Sequence, residues 1–278
     1  CAPYGGVMDW MKKGKWTATA YYANSCAIVS SIAEILGETK DAERYRKLSE
    51  EVSLAYVKVF CDKSGRLKKP FQTGYALPLY FGMATGEIKK TMASELNRLI
   101  VENSYRLNTG FTGTPYLLFA LADNGYVDTA YKVLLQEKAP SWLYGIKHGA
   151  TTLWEQWAVI GEDGKIDNIE NRDNIPSLNH YAYGAVGDFL YRRVLGLEAT
   201  EGGYKKFTVK PMPGGGLTYA RGGTKTPYGE IKVDWKVANG TFDIELQVPD
   251  NTLCKLVMPS GKEYEYTGGR YAAKEAIL

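Results

Sequence analysis

The spacing of hydrophobic residues divides the chain into a long helical part and a shorter tail with another period. Between Thr17 and Gly37 apolar residues recur every three or four positions, which predicts a helix that Gly37 ends. The inward side chains predicted for this helix are Ala20, Ile28, Ile32 and Ile35. A second helix is predicted after Thr39, with an apolar stripe at Tyr45, Leu48, Val52, Ala55 and Val59.

Further helices are predicted before residue 200, and they follow one another along the chain. They cover about residues 72–83 (with Pro78 inside), 87–103, 114–124, 128–137 and 180–196. Residues 1–16 and 138–179 lack this period and are expected to be loops. Consecutive helical hairpins without a strict sequence repeat form either an open array or an arc of an (α/α) toroid, whose loops converge on one cleft.

The tail has the period of β-strands. Apolar and polar residues alternate over 231–237 and 242–248, and Asn239-Gly240 between them is typical of a hairpin turn. The predicted fold is therefore mainly α with a β tail. We expect a helical domain at residues 1–200 and an antiparallel β domain at residues 201–278.

Composition excludes several classes of function. The chain of 278 residues has a net charge of +3, with basic residues scattered among acids, so no nucleic-acid partner is predicted. No apolar run reaches the length of a membrane span. The four cysteines fit no zinc or redox spacing, and neither a phosphate-binding loop nor a nucleophilic serine elbow is present. We therefore predict no metal and no cofactor.

The stretch with most chemical character is Gly149-Ala150-Thr151-Thr152-Leu153-Trp154-Glu155-Gln156-Trp157. It places the carboxylate of Glu155 between two indoles, and surroundings of low polarity suit a carboxyl group to proton transfer. Tryptophan faces also match the apolar C–H faces of sugars. The alternative, which the local pattern alone favours, is an exposed glutamate whose tryptophan neighbours fill the core.

Other aromatic and polar clusters lie at predicted helix ends. His180 stands between Asn179 and Tyr183, and it either donates to a substrate hydroxyl or hydrogen-bonds a loop carbonyl. Asp9-Trp10 and Trp142 are further candidates, each with the alternative of a loop turn or a core residue. The convergence of these clusters favours a carbohydrate-type cleft.

Several segments together resemble the bacterial α-L-rhamnosidases of glycoside hydrolase family 78. They are Gly149 to Trp157, Pro140-Ser141-Trp142, Asn179 to Gly187, Thr109 to Leu118 and Leu134 to Glu137. The resemblance implies an (α/α)6 barrel followed by a β-sandwich, and hydrolysis of terminal α-L-rhamnosyl bonds with inversion. It also implies that Glu155 is the general base and that the residues near the sugar are Asp9, Trp10, Trp142 and His180.

The resemblance also implies that part of the family's catalytic site is absent from this chain. The family's general acid lies in an acidic, arginine-containing motif upstream of the segment at Asp9, and no such motif is present here. About seven helices are predicted, whereas the full barrel has twelve. We therefore expect residues 1–200 to be the C-terminal portion of the barrel, completed by a missing N-terminal part of the same polypeptide.

The expected partner is a rhamnose-containing glycoside or polysaccharide. Two alternative functions stay open, an (α/α) barrel glycosidase for another sugar and a carbohydrate-binding or scaffold protein without turnover. The bacterial compartment, periplasm or cytoplasm, also stays open.

Overall fold

The computed structural model describes residues 7–161, 163–166 and 176–277, with side chains from Gly14 onwards. These residues form two compact units, of which the first ends at Gly184 and the second begins at Ala185. Each unit has a hydrophobic core of its own. None of the helices in this part of the chain is long and apolar enough to cross a membrane.

Three helical hairpins and a short extra helix make up the described part of the first unit. Their bounds are α1 (Val7–Leu36), α2 (Thr39–Phe60), α3 (Gln72–Tyr80), α4 (Gly86–Glu102), α5 (Thr114–Ala122), α6 (Val127–Leu134) and α7 (Trp142–Lys147). α1 packs on α2, α3 on α4 and α5 on α6. Because α3 also packs on α1 and α5, the first helices of the hairpins form one layer and the second helices another. This is an arc of an (α/α) barrel, as predicted.

α1 begins earlier than its pattern indicated. The prediction of a loop at residues 1–16 is wrong for residues 7–16, which form the first turns of α1. Gly14 was read as a loop residue, but one glycine inside a helix costs only about 1 kcal/mol, which packing readily offsets. Trp16, two residues later, is buried against Phe60 and Phe71.

Beyond Trp16, the buried residues of α1 are small, namely Ala20, Ala23, Cys26, Ser30 and Ala33. Small side chains allow α2 to approach closely, and two hydroxyls join the helices. Ser30 Oγ donates to the carbonyl of Ala42 at 2.7 Å, and Ser49 Oγ donates to the carbonyl of Ala23 at 2.8 Å. The close contact between α1 and α2 therefore depends on side-chain size more than on bulk hydrophobicity.

The large apolar residues of α1 lie on the opposite face. The prediction that Ile28, Ile32 and Ile35 point inward is wrong, since their exposed fractions are 51%, 50% and 85%. We call the exposed set the α1 stripe, which comprises Tyr22, Ile28, Val29, Ile32, Ile35 and Leu36. At 3.6 residues per turn these positions share an arc of about 140°. α1 is thus apolar on two faces, and spacing alone could not identify the buried one. On α2, Val59 of the predicted stripe is likewise exposed.

The second unit is a β-sandwich entered through a short helix. α8 (Val186–Phe189) continues as a wider turn over Leu190–Leu195. The strands are β1 (Leu197–Ala199), β2 (Lys206–Val209), β3 (Tyr219–Thr226), β4 (Gly229–Ala238), β5 (Thr241–Val248), β6 (Leu253–Val257), β7 (Glu263–Tyr266) and β8 (Gly269–Ala276). They form two four-stranded sheets, ordered β1-β2-β6-β7 and β3-β4-β5-β8. All neighbours are antiparallel except β2 and β6.

The predicted hairpin of the tail is confirmed. Asn239 and Gly240 both have positive φ, 50° and 71°, as the tight turn between β4 and β5 requires. The alternating apolar side chains face the sandwich core, where Trp235 and Phe242 are fully buried. The indole N–H of Trp235 donates to the carbonyl of Val194 at 2.9 Å, which fixes the entering helix on this core.

Candidate active site

Glu155 lies in an irregular turn that pairs with the segment 176–181. The backbone N–H of Glu155 donates to the carbonyl of Ser177 at 2.9 Å, and that of His180 donates to the carbonyl of Leu153 at 2.7 Å. These bonds hold two irregular segments side by side although neither is a strand. The backbone around Glu155 is therefore fixed by a neighbour more than twenty residues away in sequence.

The carboxylate of Glu155 is held by the same neighbour. The backbone N–H of Ser177 donates to Glu155 Oε2 at 2.8 Å. A hydrogen bond to a carboxylate is stronger than one between neutral groups, so it fixes the side chain as well as the backbone. Among the described contacts Oε1 has no hydrogen-bond partner, and the residue is only half-buried. Within the described residues, one oxygen is thus anchored and the other is left without a partner.

An aromatic wall formed by Trp142, Trp157 and Tyr183 lies beside this carboxylate. Trp157 stacks on Tyr183 with ring centroids 3.7 Å apart, and Trp142 meets Trp157 edge-on at 5.3 Å. The indole N–H of Trp142 donates to the carbonyl of Tyr183 at 3.0 Å. Because both tryptophans are locked by ring contacts, the wall has a fixed shape.

The electrostatics place Glu155 next to this wall. Burial raises the pKa of Tyr183 well above its ordinary value, and the negative charge of Glu155 raises that pKa further. The phenol therefore stays protonated at any physiological pH. The second flanking indole has another role, since Trp154 is buried in a separate cluster with Tyr144 and Val159. For Trp154 the core interpretation of the sequence pattern is the correct one.

His180 stacks on two aromatic rings. Its imidazole stacks on Phe111 at 4.7 Å and on Tyr181 at 5.3 Å. The backbone N–H of Ala182 lies 3.2 Å from Nδ1, so Nδ1 is the acceptor. In the neutral ring the proton then resides on Nε2, which can donate to a ligand.

The predicted site residues divide into two groups. Glu155, His180 and Trp142 are joined through Ser177, Leu153 and Tyr183. The backbone of Asp9 and Trp10 belongs to α1, but their side chains lie outside the described residues. A nearby cavity bounded by α7 and the turn around Trp157 measures about 40 Å³. Small-molecule sites measure roughly 300–1,000 Å³, so this cavity is too small to enclose a sugar.

Two functional contacts were missed by sequence reasoning. Ser177 contributes its backbone N–H, which leaves no signature in residue type. Phe111 stacks on His180 from a loop about seventy residues earlier in the chain. Its only signal is a position within the Thr109 to Leu118 segment of the family resemblance. In the described part of the chain, no three His, Cys, Asp or Glu side chains lie where they could hold a metal ion.

Comparison with known families decides where the chain belongs. The bacterial α-L-rhamnosidase 6 hairpin glycosidase domain matches residues 6–194, and the bacterial α-L-rhamnosidase C-terminal domain matches residues 196–273. The chain belongs to the bacterial α-L-rhamnosidase family. The three hairpins α1–α6 are accordingly half of a six-hairpin barrel, and the sandwich that follows agrees with the family's domain order.

Individual relatives support the family assignment. An α-L-rhamnosidase of Formosa agariphila is 37% identical over 244 residues, 87% of this chain and 26% of that protein. One from Streptomyces avermitilis is 34% identical over 280 residues, 98% of this chain and 27% of that protein. The chain thus spans about a quarter of the length of the curated rhamnosidases that it matches.

Solved structures agree with these relatives. The Aspergillus terreus α-L-rhamnosidase superposes with a TM-score of 0.87 at 32% identity, over 92% of this chain and 30% of that one. The Streptomyces avermitilis enzyme in complex with L-rhamnose gives the same TM-score and identity, over 93% of this chain and 26% of that one.

Proposed function

We propose that the polypeptide containing this chain hydrolyses terminal α-L-rhamnosyl bonds with inversion, and that Glu155 is the general base. In this mechanism Glu155 removes a proton from water while the water attacks the anomeric carbon. A carboxylic acid on the other side of the sugar protonates the departing oxygen. Inverting glycosidases hold the two carboxyl groups roughly 6.5–9.5 Å apart, which leaves room for the water.

The observation that supports the role of Glu155 is its bond to Ser177. A general base must present an ionised oxygen in a fixed direction. The N–H of Ser177, 2.8 Å from Oε2, donates to that oxygen and fixes the direction of the side chain. The second oxygen stays available to a water molecule, and the rigid aromatic wall prevents the turn from shifting.

The other predicted residues are proposed to position the sugar. His180 would donate its Nε2 proton to a sugar hydroxyl, because Nδ1 already accepts from Ala182. Trp142 uses its indole N–H on Tyr183, so we propose that it acts through its ring and by supporting Trp157. Asp9 and Trp10 are proposed as further sugar contacts on the strength of the family resemblance.

We propose that the remaining barrel hairpins, and with them the general acid, come from an N-terminal part of the same polypeptide. The α1 stripe supports this, because α1 is apolar on two faces and a helix normally buries each of its large apolar faces. The cavity of about 40 Å³ supports it too, since a sugar site needs further walls. The proposed substrate is a rhamnose-containing glycoside or polysaccharide, in line with the L-rhamnose bound by the Streptomyces avermitilis relative.

The test uses the full-length polypeptide and a panel of aryl glycosides. We expect turnover of aryl α-L-rhamnoside, release of the inverted anomer by NMR, and no turnover by residues 1–278 alone. Glu155→Gln retains the carbonyl that accepts from Ser177, and it should lower kcat by a factor of about 10² to 10⁴. Unchanged kcat in this variant contradicts the assignment of the base. Turnover of a different aryl glycoside, or sugar binding without any turnover, favours one of the two alternatives.

A further inference from the structure

The outer face of the sheet β3-β4-β5-β8 forms a groove of about 840 Å³ that seven charged residues line. This volume is within the range of ligand-binding sites, which is roughly 300–1,000 Å³. Strand alternation directs the apolar residues of β4 and β5 to the sandwich core, so their polar partners line the groove. All residues that line the groove belong to the second unit.

Strand register arranges the groove in rows that cross the four strands. One row contains Gly223, Lys232, Gln247 and Arg270. The next row contains Arg221, Asp234, Glu245 and Ala272. Each row thus has one small residue. Gly223 lies on the edge strand β3 and Ala272 on the opposite edge strand β8, and both leave open space above the sheet. Hydrogen-bond donors dominate the first row and acceptors dominate the centre of the second.

The two central residues of the second row, Asp234 and Glu245, carry like charges, so neither neutralises the other. Glu245 stands directly opposite Asp234 on the neighbouring strand, and like charges in that position destabilise a sheet. Asp234 is paired with Arg221 at 2.6 Å. In the described contacts Glu245 has no ion pair, and neither has Arg270, although Lys232 is paired with Glu230 at 2.9 Å. An acceptor and a donor therefore remain available on the two central rows.

An exposed aromatic ring continues the same face. Tyr219 belongs to the next row, opposite Lys236, and is 69% exposed. It follows the alternation of Arg221 and Gly223 along β3, so its ring lies on the groove side of the sheet. An exposed tyrosine beside polar groups offers an apolar face on which a ligand ring with polar edges can stack.

We propose that this groove is a second glycan-binding site, which holds a neutral oligosaccharide segment apart from the catalytic site. Each sugar hydroxyl both donates and accepts a hydrogen bond, so it complements a row of donors beside a row of acceptors. Four cations and three carboxylates line the groove, so their charges nearly cancel, which favours a neutral ligand over an ionic one. Tyr219 would stack on the C–H face of one sugar ring. The choice of a glycan rests on the proposed function.

The experiment measures binding without turnover, so it is independent of catalysis. Full-length protein carrying Glu155→Gln is run on affinity gels that contain gum arabic, a soluble polysaccharide with terminal rhamnose, in the presence of saturating L-rhamnose. We expect retardation to persist under L-rhamnose, and to persist when the carboxyl groups of the polysaccharide have been reduced. Tyr219→Ala should weaken binding by about tenfold because the stacking face is lost. Glu245→Gln should also weaken it by about tenfold because the charged acceptor is lost.

The matched control is Glu265→Gln, an exposed glutamate on β7 in the other sheet, which should leave binding unchanged. Loss of all retardation with L-rhamnose means that only the catalytic site binds, and this overturns the proposal. Loss of retardation on carboxyl-reduced polysaccharide shows recognition of anions by the basic residues and overturns it as well. Equal binding by both groove variants and the parent has the same consequence. None of these outcomes depends on whether aryl rhamnoside is hydrolysed.

Discussion

Replacing Ile35 with alanine should change the free energy of unfolding of the full-length protein much more than that of the isolated chain. Ile35 is 85% exposed and is the most exposed member of the α1 stripe. If further hairpins cover this stripe in the full-length protein, the same side chain is buried there. The substitution should therefore be nearly silent in one protein and costly in the other.

The expected magnitude follows from this exposed fraction. Burying an isoleucine fully contributes about 1.5–3 kcal/mol to the free energy of unfolding. In the isolated chain Ile35 is mostly exposed, so it contributes only a small part of this amount. In the chain of 278 residues, Ile35→Ala should change the free energy of unfolding by about 0.5 kcal/mol or less, as surface substitutions do. In the full-length protein the lost contacts and the cavity should together cost about 2–4 kcal/mol.

The assay is urea unfolding of both proteins, followed by the fluorescence of their tryptophans. Leu54→Ala is the matched control, because Leu54 is 72% exposed on α2 and lies outside the α1 stripe. It should cost about 0.5 kcal/mol or less in both proteins. If Ile35→Ala costs no more than Leu54→Ala in the full-length protein, the stripe faces solvent there. The proposal that missing hairpins pack on α1 is then refuted.

Three further substitutions test other contacts. Ser177→Pro removes the N–H that holds Glu155. Because such a bond contributes roughly 1.5–3 kcal/mol, kcat/KM of the full-length protein should fall by about 10- to 100-fold. Ser177→Ala keeps the N–H, and an equal loss in both variants contradicts the role of the bond. Burial raises the pKa of Cys254 to about 12, above its unfolded value of about 8.5. The buried neutral thiol therefore stabilises the fold fully below pH 8.5, and this contribution is lost as pH rises towards 12. Urea midpoints should fall less steeply over this range in Cys254→Ala, and parallel slopes would show that another group is responsible. Trp235→Phe leaves the carbonyl of Val194 without its donor. It should lower the free energy of unfolding of the second unit by about 1–3 kcal/mol, measured by thermal unfolding. A change below about 0.5 kcal/mol would mean that water replaces the bond.

The sequence predicts an element well where one physical cause dominates. Asn239-Gly240 sits between two alternating strands, and the positive φ of both residues leaves few conformations other than the tight hairpin that is observed. α1 is the opposite case. Its two apolar faces satisfy the same helical period, and only the size of Ala20, Ala23 and Ala33 distinguishes the face that meets α2. A pattern of hydrophobicity that ignores side-chain volume therefore selects the wrong face.

The candidate site likewise combines residues that the sequence indicates with contacts that it does not. Glu155 could be identified because its indole neighbours and family motif are carried by residue types. Ser177 could not, because it acts through a backbone N–H that every residue except proline has. The stacking of Phe111 on His180 depends on how two distant loops meet, which no local spacing encodes. Contacts made by backbone groups and by loops thus remain beyond prediction from one sequence.

The described part of the site is rigid where a base is needed and open where a substrate is needed. The anchored oxygen of Glu155, the stacked aromatic wall and the stacked imidazole are all fixed by contacts within the first unit. The cavity that Trp142, Trp157 and Tyr183 line measures only about 40 Å³. We propose that further walls of the sugar site come from the remaining hairpins, together with the general acid. On this proposal the two carboxyl groups meet only when the barrel closes, so folding of the complete barrel and assembly of the catalytic pair would be one event.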